Sequence, residues 1–100
     1  MSEREDEGPV LRTGRANHRR GGIADGGRLT LTGGALSFKP HRVNFDGGVA
    51  LSIPLAEIDQ AEPGDRPFEL LITLRGGEQE TFAVYKRGAW IADITAHRST

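Results

Sequence analysis

The run GRLTLTGGALSFK, residues 27–39, decides the fold. Leu29 and Leu31 alternate with Arg28, Thr30 and Thr32, the period of two that puts one side of a strand in a core and the other in water. Leu36 and Phe38 then alternate with Ser37 and Lys39 in the same way. Gly33-Gly34 stands between the two runs, and a glycine pair there predicts a two-residue hairpin whose central residues take positive φ. Downstream, Pro40 marks the end of the strand and Asp46-Gly47-Gly48 turns the chain into a further run, Val49, Leu51 and Ile53. Pro54 closes that run because it cannot donate to a ladder.

The same period extends towards the C-terminus. FELLITL places Phe68, Leu70, Ile72 and Leu74 on one side, Arg75-Gly76-Gly77-Glu78 forms the next turn, and EQETFAV puts Phe82 and Val84 inward. VLRTGRAN, from Val10, reads as a weaker strand, and IDQAE, from Ile58, as a short one at best. Residues 21–27, GGIADGG, read as a flexible connection between strands. About seven strands result, separated by glycine-containing turns at the spacing of a small antiparallel sandwich or barrel. The end of the chain differs: Trp90, Ile91 and Ile94 share one helical face, and Ala89, Ala92 and Ala96 favour helix. No Ser, Thr, Asp or Asn caps its first turn. Such a helix can plug the open end of a curled sheet, with Trp90 as a core anchor.

A chain of 100 residues is one domain by size. Residues 1–8 read as a disordered acidic lead-in, with Glu3, Glu5, Asp6 and Glu7 against Arg4, and residues 9–100 as the domain. The absence of cysteine excludes disulfides and cysteine-ligated zinc. The N-terminus lacks the apolar segment of a secretory signal, and the stretch around Phe68–Leu74 is far shorter than the ~20 residues a membrane span needs. The expectation is a cytoplasmic protein, peripheral at the inner face of the membrane if it meets one. Net charge is −1, but residues 9–45 carry seven Lys and Arg against Asp25 alone, and residues 46–83 carry eight acids against Arg66 and Arg75. That asymmetry marks either an anion-facing surface or two edges that pair within the fold.

Catalysis finds no foothold. A covalent nucleophile would be Ser, Thr or Lys, and none sits in an elbow or dyad motif. Residues 21–27 lack the Lys-Ser/Thr of a phosphate loop and the spacing of a dinucleotide fingerprint. Glu57, Asp59, Glu62 and Asp65 read as a solvated edge. His18, His41 and His97 lack the i, i+4 spacing of a zinc motif. His18 and His41 both follow strands and could meet in space, but imidazoles that tie down loop backbone are the simpler reading. No enzyme activity, cofactor or metal is expected. A nucleic-acid binder is disfavoured too, because only Phe45 and Tyr85 are candidates for exposed stacking rings.

An ordered set of residues resembles a known family. ANH at 16–18, GGRLTLT at 26–32, LSFKPH at 36–41, Asn44, LSIPLAEI at 51–58, Trp90 and Ile94 together resemble a bacterial GRAM domain, from about Val10 to His97. The resemblance implies the pleckstrin-homology superfold: mostly β, a split barrel of about seven antiparallel strands capped by one C-terminal α-helix. It also implies a non-enzymatic module that binds phosphoinositides, other anionic lipids or protein partners. The turn at Gly33-Gly34 departs from the polar or basic turn frequent in that family, which puts ligand contacts from that turn in doubt.

In that topology the connections from first to second and from third to fourth strand emerge together at the open end of the barrel. They contain NHRRGG at 17–22 and KPHRVNF at 39–45, so His18, Arg19, Arg20, Lys39, His41 and Arg42 are expected on one rim. Arg and Lys there would hold an anionic headgroup or partner carboxylates by charge-assisted hydrogen bonds, and Gly21, Gly22, Gly47 and Gly48 would admit backbone N–H groups to the same anion. The predicted function is a binding module for a protein partner or an anionic lipid or phosphate headgroup. A purely structural or oligomerising domain, its basic rim meeting only water, is the alternative.

Overall fold

The structure, a computed structural model, describes residues 8–41 and 50–98. Seven antiparallel strands precede one helix: β1 (Val10–Arg20), β2 (Ile23–Thr32), β3 (Ala35–Pro40), β4 (Leu51–Pro54), β5 (Ile58–Pro63), β6 (Glu69–Leu74), β7 (Gln79–Val84) and α1 (Arg87–His97). The strands form one sheet in the order β4-β3-β2-β1-β7-β6-β5, which is not closed. It ends on β4 and β5, whose last residues are Pro54 and Pro63. β1 belongs to both halves, pairing with β2 along its length and with β7 over Ala16–Arg19. The halves fold over one another, so that Phe38 of β3 meets Phe82 of β7 with ring centroids 5.8 Å apart.

Alternation builds the core. Leu29, Leu31, Leu36, Phe38 and Ile53 from the first half meet Ile58, Leu70, Ile72, Phe82 and Val84 from the second. α1 packs on β1, β5 and β6 and adds Trp90 and Ile94. Trp90 lies over Gly14 of β1, its ring carbon Cζ2 3.8 Å from where a Cβ on that glycine would stand, an ordinary contact distance. Arg12 ties the helix down, with Nε donating to Asp93 Oδ2 at 2.6 Å and its guanidinium 5.9 Å from the Trp90 ring. As the sequence implies, no side chain caps α1; Lys86 takes the N-cap position in the left-handed region instead.

Several local expectations change. β1 runs eleven residues and β5 six, because pairing with neighbours supplies what their imperfect alternation lacks. Residues 21–27 are not one flexible connection: Gly21, at φ 59°, and Gly22 make the turn, and β2 begins at Ile23. Gly27 lies inside β2, where a Cβ would collide with the Lys39 carbonyl and come 2.7 Å from the Phe38 ring. Neither Gly33 nor Gly34 has positive φ. The buried Thr32 hydroxyl closes that turn instead, accepting from the N–H groups of Gly34 and Ala35 at 3.2 Å. Phe68 is exposed rather than inward, since it precedes β6 at φ 68°. Val49 and the turn at Asp46-Gly47-Gly48 lie outside the described residues.

Candidate anion-binding face

Of the six residues expected on one rim, the five that the structure describes divide between two faces of the sheet. His18 is in β1, buried, its ring between those of Phe82 at 5.0 Å and Phe38 at 5.4 Å, and its Nε2 lies 2.7 Å from Glu80 Oε1. Arg20, two residues on and facing the same way, donates from Nε to Asp25 Oδ2 at 3.0 Å. The inner side of the sheet thus holds a histidine and an arginine that each pair with a carboxylate. Arg19 points to the opposite side, its Nε a long 3.8 Å from Glu69 Oε2. Lys39 and His41 lie on that outer side as well, both exposed. Arg42 lies outside the described residues. His18 and His41 therefore do not meet, and among the described residues no group of His, Cys, Asp and Glu could hold a metal ion.

The outer side of β1, β2 and β3 carries three consecutive cross-strand rows. Thr13 pairs with Thr30 and Thr30 with Ser37, a row of hydroxyls with Thr13 Oγ1 3.2 Å from Thr30 Oγ1. Next, Arg15 pairs with Arg28 and Arg28 with Lys39, a row of three cations. Then Asn17 pairs with Gly26, whose carbonyl accepts the His41 N–H at 2.9 Å. Among the described residues no carboxylate lies within 4 Å of Arg15, Arg28 or Lys39; Arg28 reaches only the Thr13 hydroxyl, at 3.4 Å. Like charges directly opposite one another on neighbouring strands are destabilising, so this row gains from any anion laid across it.

Beside the cations the surface dips into a groove of about 430 Å³. Its floor is the row Gly26, Asn17, Ala83, where two small residues flank an amide able to donate and accept. Arg15, His41, Phe68 and Tyr85 line it around that floor, with Phe68 and Tyr85 edge-on to each other at 5.8 Å.

Of the residues on this face, the sequence reading named Lys39 and His41 and did not name Arg15 and Arg28. The signal was present: two-residue turns at Gly21-Gly22 and Gly33-Gly34 fix the registers that align Arg15, Arg28 and Lys39. Reading residues 21–27 as loose connection hid the first of those registers.

No family model matches the chain, and no curated protein matches it in sequence. Solved structures do match. The C-terminal domain of a protein from Leishmania infantum superposes with a TM-score of 0.77 at 14% identity, over 90% of this chain and 84% of that one. The Slm1-PH domain, solved in complex with phosphoserine, gives 0.72 at 16% identity, over 91% and 97%. The N-terminal PH domain of human ARAP2 gives 0.66 at 14% identity, over 87% and 77%. The chain has the pleckstrin-homology-like fold: seven antiparallel strands in an unclosed sheet with a single C-terminal helix.

Proposed function

We propose that this protein is a non-enzymatic, GRAM-like binding module that recognises a phosphate-bearing group on the outer face of β1–β3. The row Arg15–Arg28–Lys39, with no acidic partner among the described residues, carries this reading. Hydroxyls on one side of the row and the Asn17 amide and His41 on the other add neutral hydrogen-bonding groups around it. Such an arrangement suits the holding of an anion. Of the rim read from sequence, Lys39 and His41 belong to this face, Arg19 is a candidate at its border, His18 and Arg20 support the fold, and Arg42 lies outside the described residues. The Slm1-PH complexes with phosphoserine and with inositol-4-phosphate show such ligands on the same fold at low identity. In a cell the module would be cytoplasmic and reach the inner face of a membrane peripherally; among the described residues no helix is long and apolar enough to cross one.

The test is calorimetric titration with inositol hexakisphosphate, a soluble polyphosphate. Binding is expected to weaken as salt rises and to drop about tenfold in Arg28→Glu and Lys39→Glu, each losing one charge-assisted contact. Arg20→Gln, altered in the barrel mouth instead, is expected to retain it. Undiminished binding in the two outer-face variants, or none in the native chain, overturns the reading.

A further inference from the structure

Packing does not explain the aromatic corner beside the groove. Phe68 sits at φ 68°, a left-handed conformation that glycine adopts freely and a bulky side chain does not. The strain gains no burial, for Phe68 is 54% exposed and its neighbour Tyr85 77%. The surrounding bonds nevertheless fix it firmly. Its carbonyl accepts the Val84 N–H at 2.8 Å, and Glu69 N–H donates to the Arg66 carbonyl at 3.1 Å. Arg87 Nη1 donates to the carbonyls of Arg66 and Glu69, at 2.8 and 3.1 Å. The ring is held outward by a braced loop, in the lining of the groove that Arg15 and His41 also line.

We propose that Phe68 and Tyr85 form an interfacial anchor that seats this face on an anionic bilayer. The inference rests on the reading above, and names the source of the phosphate: a lipid headgroup layer whose boundary the two rings enter while the cation row meets the phosphates. Aromatic rings prefer that boundary, and Tyr85 keeps its phenol at the wet side. Exposed Arg66 and Lys86, close to the pair in sequence, and Arg15, which lines the same groove, outnumber the exposed Asp65 and match an anionic surface in charge. A two-ring patch is small for a protein interface, which takes about 800 Å² from each partner around an apolar centre. Cations alone give weak, salt-sensitive attachment, and an apolar anchor supplies the second signal that stable attachment needs.

Two variants test this with sedimentation on phosphatidylcholine vesicles with and without phosphatidylglycerol. Phe68→Gly suits the backbone, so it is expected to melt no lower than the native chain. Its partition onto the anionic vesicles is expected to fall about tenfold, with hexakisphosphate affinity unchanged. Tyr85→Trp places an indole at the corner against the steady signal of Trp90, which is buried. Its emission is expected to shift to the blue on anionic vesicles and to be quenched by brominated acyl chains. Unaltered partition of Phe68→Gly together with no quenching overturns the anchor and leaves the phosphate-binding face standing. So does hexakisphosphate binding with no vesicle binding, or a soluble phosphoprotein held through both rings while vesicles are ignored. A native chain that binds neither vesicles nor hexakisphosphate overturns both readings.

Discussion

At the scale of single residues, His18 and Gly27 carry more of the fold than their types announce. His18→Ala removes a ring packed between two phenyl rings and strands Glu80 without its partner, so a loss of about 3 kcal/mol is expected. Gly27→Ala forces a methyl group into the Lys39 backbone and the Phe38 ring, neither free to give way, and is expected to cost about 2 kcal/mol. Both losses are measurable as a lower urea midpoint at unchanged slope. The sequence shows Leu29, Phe38 and Phe82 as core residues because they keep the period of two. It does not show His18 as one, since a histidine flanked by Asn17 and Arg19 carries the composition of a loop. Only the pairing of β1 with β7 reveals that Phe82 lies opposite it.

Among the elements, hairpins and helix were more legible than isolated strands. The β2–β3 hairpin follows from local alternation, and α1 from the spacing of Trp90 and Ile94, both buried as expected. β5 was nearly invisible because an edge strand of six residues buries only Ile58 and Ala61. The turn before α1 offers a test at this scale. Lys86 holds φ 57° and no side chain caps the helix, so Lys86→Gly relieves a left-handed strain. A gain of about 0.5 kcal/mol is expected, read as a raised melting temperature. Trp90→Ala, which opens a cavity between α1 and Gly14, is expected to cost about 4 kcal/mol.

For the whole molecule, the proposed binding face sets anion affinity against stability. Arg28→Glu converts a row of three like charges into alternating signs, so the free protein is expected to gain about 0.5 kcal/mol in urea unfolding while its anion affinity falls. Charge counts along the sequence pointed to an anion-facing half, but only the two registers distinguish this row, with no carboxylate partner among the described residues, from Arg20, which pairs with Asp25 on the inner side. The same sheet has a further consequence, for how copies of the chain behave towards one another. Because it stops at β4 and β5 without closing, it presents two unjoined margins, each finished by a proline and one of them bearing Asp59 and Glu62. These are brakes on strand-to-strand stacking between molecules. Replacing Pro54 by Thr and Pro63 by Val, with Asp59→Thr, releases them, and concentrated solutions of that chain are expected to scatter light and elute early from a sizing column while the native chain stays dispersed.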